Sequence, residues 1–462
     1  MWERFSYYGM RAILILFMTA TVANGGLGFP TSRAGAIYGL TTSLVFLLSL
    51  PGGWIADRIT GQRRAVLYGG IIIALGNYSL AIPSLTAFYS GLALIVLGTG
   101  LLKPNISTIV GQLYTENDVR RDAGFSIFYM GINVGAMIAP LVCGYLGENI
   151  NWHYGFLAAG VGMTGGVIQY ALGGKFLGVA GQTSSGTAQD FRIFRRTLIG
   201  VIAAILVAAG LALSGAVRFS AEKISDGFGF FLALVCIAFF VWLLTAKGYT
   251  PVEKRRFWAI LVLFIASAAF WAAYEQAGST LNLFAERNTN LHAWDAPLWG
   301  LFRASYFQSF NSVFLVILAP VFAWLWVKLG PRDPSITFKF SGGLIFVALG
   351  FAVLIPVAGS TNASPWWLTV VYFLHTVGEL MLSPVGLSAI TKLAPMRLAS
   401  LLMGVWFLSI SVGDYLSGQA ASLYETFPLA ELFTIVAVFC AVIGLVLLFL
   451  LPPMKRLTGG IN

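Results

Sequence analysis

Fourteen apolar runs of roughly 20 residues, bounded by Gly, Pro or charge, recur along 462 residues, and that recurrence leaves the chain few folds. A hydrocarbon interior offers backbone amides no water, so the segments that cross it are helices or closed barrels, and runs of this length are helical. Composition agrees: 58% of the residues are hydrophobic, 10% are charged and the mean hydropathy is +0.82, whereas soluble domains are near one quarter charged. The expected fold is an all-α membrane protein with 14 transmembrane helices.

The first six runs are Phe5–Ala23, Ala34–Ala56, Ala65–Pro83, Phe88–Tyr114, Ala123–Leu146 and Tyr154–Leu177. A polar stretch from Gly178 to Asp190 and a basic step of Arg192, Arg195 and Arg196 precede two further runs, Thr197–Val217 and Phe228–Ala246, that hold almost no polar residues. The last six are Phe257–Ala277, Ser305–Val327, Phe340–Ala358, Trp367–Ile390, Leu398–Tyr424 and Pro428–Leu451. The plan divides the chain into a six-helix bundle over 1–178, a linker with an inserted two-helix hairpin over 179–255, and a second six-helix bundle over 256–462.

Net charge is +10, and in such a chain the placement of basic residues speaks to topology rather than to a nucleic-acid partner, of which none is expected. With the N-terminus in the cytoplasm, 21 of the 28 Lys and Arg residues fall in inside loops and five in outside loops (Arg33, Arg218, Lys223, Arg287 and Arg303). The other two, Arg11 and Lys103, lie within spans. Both termini are therefore expected in the cytoplasm. Met1 to Arg11 is charged and aromatic and shows no cleavage site of small residues, so no cleavable signal peptide is expected. Cys143, Cys236 and Cys440 all lie in apolar runs, where buried thiols without disulfides are the simplest reading.

Two six-helix halves match the major facilitator architecture, which sets its substrate site at the midplane between halves. The segment from Gly52 to Arg64 resembles that superfamily's loop motif GGxxADRxxGxRR. Its expected role is a tight cytoplasmic turn whose Asp57 pairs with helix ends or basic residues.

A charge inside a span costs roughly 3 kcal/mol or more and marks a functional hypothesis. Here these residues are Arg11, Lys103, Glu275, Glu379 and Asp414, with Glu3 and Arg4 at the cytoplasmic edge. Arg4, Tyr7, Tyr8 and Arg11 share one helical face, as do Trp271, Tyr274, Glu275, Gly278 and Asn282. Tyr129 with Asn133 and Gln308 with Asn311 add polar pairs that read either as site groups or as glue between helices. Lys103 precedes Pro104, and Glu379 lies shortly before Pro384, in equivalent spans of the two halves. Opposite charges on opposite walls suit a zwitterion such as a short peptide. Tyr7, Tyr8, Phe46, Trp271 and Trp406 read either as an adaptable aromatic wall or as ordinary packing.

These residues also carry a family resemblance. Glu3 to Gly9 resembles ExxERFxYYG, Phe128 to Gly135 resembles FYxxINxG, and Gly98 to Asn105, Phe270 to Gly278 and Gly378 to Pro384 are similar to further signatures of the proton-dependent oligopeptide transporters, bacterial branch. The resemblance implies a proton-coupled importer of di- and tripeptides working by alternating access, or a same-fold carrier of another small solute such as nitrate, an amino acid or a peptide-like conjugate. It implies that Arg11 and Lys103 receive the peptide carboxylate, that Glu379 with Asn133 and Asn311 holds the amino terminus, and that Tyr7, Tyr8, Trp271 and Trp406 line the site. Glu275 is implied as the proton site, with Glu3, Arg4, Arg11 and Lys103 in the coupling network, and Arg11–Glu275 and Lys103–Glu379 as the outer and inner gating pairs. Protons are the coupling ion, with no cofactor or metal. A monomer in a bacterial inner membrane is expected.

Three departures stand out. The first glutamate of ExxER falls one residue before Met1, so a trimmed N-terminus is expected; Phe46 stands where the family often has a tyrosine. Asp414 has no family role: it reads either as a partner for a hydroxyl or helix end, or as part of an altered proton path. His153, His292 and His375 are scattered singly, without metal spacing or a catalytic arrangement, so no enzyme is expected; His375, one turn before Glu379, reads as packed and neutral.

Overall fold

The computed structural model describes residues 1–114, 120–182, 184–214, 220–295 and 301–459. Fourteen long helices carry the fold. The first half holds α1 (Trp2–Thr19), α2 (Thr31–Thr60), α3 (Gln62–Leu80), α4 (Leu85–Gln112), α5 (Arg121–Asn149) and α6 (Trp152–Leu172). An inserted pair follows, α7 (Ala188–Leu213) and α8 (Ala221–Thr245). The second half holds α9 (Pro251–Asn288), α10 (Phe307–Leu329), α11 (Ile336–Leu354), α12 (Pro365–Leu393), α13 (Ala399–Ser422) and α14 (Leu429–Phe449). Eleven helical stretches among the described residues are long and apolar enough to cross a membrane by length and composition. The helix α1 also carries Glu3, Arg4 and Arg11, and these charges are tolerated because protein surrounds it.

Burial sorts the helices. From Met10 to Met18 the α1 side chains are almost fully enclosed, as expected of a helix packed on all sides. The inserted pair is the opposite: Leu206, Val207, Phe230, Leu234 and Ile237 are exposed, an apolar exterior suited to lipid. The end of the expected span at Val217, and Arg218 beyond it, lie outside the described residues.

Several helices run further than apolar runs alone predict. The helix α9 begins at Pro251, six residues before the expected Phe257, because Thr250 and Glu253 form a reciprocal capping box that starts a polar first turn. It also continues beyond Ala277 to Asn288, but through a break: α-helix to Tyr274, a 3₁₀ turn over Glu275–Gly278, then helix again from Thr280. A 3₁₀ stretch inside a long helix re-aims the side chains on it, and here it carries Glu275.

The halves meet unevenly. At the end remote from the chain termini, α2 and α13 approach at Gly35, Gly39 and Gly418, where a Cβ on Gly39 would lie 2.8 Å from the Gly418 Cα. Small residues let helix backbones come this close in a membrane. Nearer the middle, the Ser43 and Ser411 hydroxyls meet at 2.8 Å. The Ser309 hydroxyl donates to the Met137 carbonyl at 2.7 Å, and Arg303 Nε donates to Asn149 Oδ1 at 2.7 Å. These hydrogen bonds between halves lie between mid-membrane and that remote end.

In the last turn of α2, the Asp57 carboxylate accepts from Nε2 of Gln62, the residue that opens α3, at 2.9 Å, and not from a basic residue. Arg63 makes the long reach instead, donating to the Gly174 and Gly178 carbonyls at 3.1 and 2.9 Å. The glutamine is five residues away, so it satisfies the carboxylate first.

Candidate functional site

A cavity of about 480 Å³ lies between the halves, within the range of small-molecule sites. Its walls include Arg4, Tyr7, Tyr8, Arg11, Phe46, Lys103, Tyr129, Asn133, Trp271, Tyr274, Glu275, Gln308, Asn311, Glu379 and Trp406. Every site residue expected from sequence is therefore on the wall except Glu3, which sits behind Arg4 and accepts from it at 2.5 and 2.7 Å.

Two charged centres face each other across the space. At the first, Arg11 and Glu275 are each 6% exposed and form an ion pair between α1 and α9. Arg11 Nε donates to the Tyr38 hydroxyl at 2.7 Å, and its terminal nitrogen donates to the Glu275 carbonyl at 3.3 Å. Gly278 makes room for this cluster, since a Cβ there would meet the Tyr38 hydroxyl and lie 2.7 Å from Arg11 Nε. The 3₁₀ turn presents both the carboxylate and the carbonyl of Glu275 to one guanidinium. Next to it, Asn282 Nδ2 donates to the Ala12 carbonyl at 2.8 Å, a second link between α1 and α9.

The second centre is open. Glu379 on α12 accepts from the Tyr274 hydroxyl at 2.5 Å and from Asn311 Nδ2 at 3.0 Å. Lys103 on α4 makes no ion pair among the described residues; its ammonium rests 3.1 Å from the centre of the Phe46 ring. The expected Lys103–Glu379 pair is thus not formed in this state. The physical reason is that each partner is satisfied within its own half: a cation on an aromatic face, and a carboxylate with two donors.

The helices hold these groups by local irregularity. Pro104 cannot donate to the Gly100 carbonyl, and Gly52 packs against that carbonyl, where any Cβ would collide. Asn105 Nδ2 donates to the Leu101 carbonyl at 2.6 Å and so ties its side chain back onto the proline-disturbed turn. Asn133 Nδ2 donates to the Tyr129 carbonyl one turn earlier at 2.9 Å, leaving the amide oxygen available. Above and below lie aromatic contacts: Tyr7 against Tyr8 at 5.4 Å and Trp271 against Tyr274 at 5.3 Å.

Sequence reasoning missed two hydroxyls. Tyr274 was legible as a member of the Trp271–Asn282 stripe, but its bond to Glu379 crosses helices. Tyr38 sits in a run without charge, among Thr41, Thr42 and Ser43, and gave no signal. His375 is buried against Phe351 and Tyr274, with ring centres 5.3 and 6.2 Å away, and it is not on the cavity wall. Among the described residues no group of His, Cys, Asp and Glu could hold a metal ion.

The chain matches the POT family over residues 63–437. It belongs to that family. A di-/tripeptide transporter of Lactococcus lactis subsp. cremoris is 37% identical across 100% of this chain and 95% of its own length. YclF of Bacillus subtilis (strain 168), described as a transporter, is 42% identical across 100% of this chain and 93% of its own. A crystal structure of a POT family transporter in complex with 5-aminolevulinic acid superposes with a TM-score of 0.92 at 35% identity, covering 98% of this chain and 94% of that one. The POT family is one of transporters and not of enzymes, and this member is an integral membrane protein of the major facilitator type.

Proposed function

We infer that this protein is a proton-coupled symporter that imports di- and tripeptides by alternating access. The observation that carries the reading is the pair of opposed charges on one cavity wall set: Arg11 and Lys103 on the first half, Glu379 on the second. A peptide's carboxylate goes to the cations and its ammonium to Glu379, beside Tyr274, Asn311 and Asn133, while Tyr7, Tyr8, Trp271 and Trp406 accommodate varied side chains. The name of the Lactococcus relative supports this substrate class.

Coupling follows from the Arg11–Glu275 pair. A proton on Glu275 removes the charge that holds Arg11, and a freed guanidinium either binds the peptide carboxylate or lets the remote ends of the halves part. Glu3 and Arg4 belong to the same network at the cytoplasmic edge. The halves 1–178 and 256–462 are the moving bodies, and 179–255 joins them. The basic residues set both termini in the cytoplasm of a bacterial inner membrane, so the present state, joined at the remote end, faces inward. One chain encloses the whole cavity, and it works as a monomer with protons as the coupling ion.

A second reading, carriage of a different small amino-carboxylate, is favoured by the 5-aminolevulinic acid bound to the structural neighbour. Uptake of labelled dialanine into proteoliposomes under an acid exterior and an inside-negative potential decides. Accumulation blocked by excess tripeptide, and not by nitrate, supports peptide import; no dialanine uptake together with 5-aminolevulinic acid uptake selects the second reading.

A further inference from the structure

Asp414, on α13, is 1% exposed and lies beside the Thr42 hydroxyl of α2, which donates to the Tyr38 carbonyl at 3.0 Å, and the Asp414 Oδ2 has no hydrogen-bond partner among the described residues. The neighbouring carboxylates are better supplied. Glu3 has Arg4, Glu275 has Arg11, and Glu379 has Tyr274 and Asn311.

Charges around Arg11 do not cancel. Arg11 is paired with Glu275, and Asp414, which has no ion pair among the described residues, is a second carboxyl acting on that same guanidinium. A zwitterionic peptide adds no net charge, so one carboxylate is left over whether the site is empty or filled. An uncompensated buried carboxylate is costly enough that it takes up a proton instead. The unpartnered Oδ2 is where that proton fits.

The groups acting on Asp414 come from every side. They are Tyr7 and Arg11 on α1, Tyr38 on α2, Lys103 on α4 and Glu275 on α9. Glu379 on α12 is held by its own donors, and Asp226 on α8 acts on the adjacent Tyr415. Arg11 is therefore flanked by two carboxyl groups and paired with one.

We propose that Asp414 is a second proton-binding carboxyl of the transport cycle, sharing Arg11 and a single proton with Glu275. With the remote end open, Glu275 holds the proton and Arg11 turns to the Asp414 carboxylate. On closure the proton passes from the Glu275 carboxyl to the Asp414 carboxylate, and Arg11 pairs with the ionised Glu275, as in this structure. Asp414 then releases the proton toward the cytoplasm, and its bare charge draws Arg11 away to reopen the remote end.

This proposal rests on the symport reading above, and the test separates the two. Asp414→Asn keeps the shape but cannot ionise. Dialanine accumulation under an imposed proton gradient should fall to an inside-to-outside ratio of one, with counterflow continuing at a changed pH dependence. Accumulation equal to wild type overturns the proposal. Asp414→Glu, which keeps a carboxyl, should accumulate dialanine with a displaced pH profile; a profile superimposed on wild type overturns it as well. Proton uptake by the purified proteins on acidification needs no peptide: one proton fewer in Asp414→Asn supports the assignment, and equal uptake overturns it. Wild type that fails to accumulate dialanine removes only the substrate reading.

Discussion

Arg11 and Lys103 line one cavity from the same half, yet they are held in opposite ways. Arg11 is locked by a carboxylate, a carbonyl and a tyrosine hydroxyl drawn from both halves, whereas Lys103 lies on a phenyl ring of its own half. The first cation ties the halves together. The second is left able to meet a ligand or, when the halves close on that side, Glu379. The contrast teaches that a cation's role here is set by which half supplies its partners.

The most damaging change should be Glu275→Gln. Losing one member of a buried charge pair costs about 2–5 kcal/mol, and the loss falls on the coupling step: uptake against a gradient should vanish while exchange between equal pools persists. Normal concentrative uptake would remove Glu275 from the proton path. Lys103→Ala removes a charge-assisted contact of about 1.5–3 kcal/mol, so dipeptide binding should weaken by roughly 10- to 100-fold. Carboxyl-amidated analogues should lose far less, and equal losses would erase the distinction between the two cations. Glu379→Gln should mirror this, penalising free-amine peptides over acetylated ones.

Smaller effects test the closed end. Gly39→Val overpacks the seam against Gly418, a cost of about 1–3 kcal/mol, and should shift the population toward separation there. Spin-label distances between positions 22 and 427 would lengthen; unchanged distances would show the seam to be passive. Least of all should come from Arg287, whose ion pair with Glu425 at 2.7 Å is solvent-exposed and worth under about 1 kcal/mol. Thr31 and the Arg287 guanidinium hold the Glu425 carboxyl below its ordinary value. Its contribution is therefore present above the ordinary carboxylate value and is lost only as pH falls through the lowered one. External acid in the mild range should leave this contact intact, and an Arg287→Ala variant should keep the wild-type pH dependence of uptake.

Much of this was readable beforehand because charge in a membrane is conspicuous. Arg11, Lys103, Glu275 and Glu379 declared themselves by cost alone, and helical period put Tyr7 and Tyr8 with Arg11. What stayed hidden depends on contacts across helices. Gly35 and Gly39 stand four apart, the spacing of a close helix contact in a membrane, but in a chain with 52 glycines that spacing does not name Gly418 as the partner, and the 3₁₀ turn at Glu275 has no proline to announce it. Helix ends were misplaced where polar turns continue a helix, as in Glu253 to Arg256, since hydropathy ends where lipid does and hydrogen bonding does not.

The glycine seam between α2 and α13 has a consequence for how such a protein changes over time. Backbone pressed on backbone carries no side-chain identity, so the surface that opens and shuts is chemically blank. Substitutions on the cavity wall away from the Arg11–Glu275 pair can alter what is carried without disturbing the joint, and the joint can be preserved while selectivity drifts. One gate can thus serve many tenants.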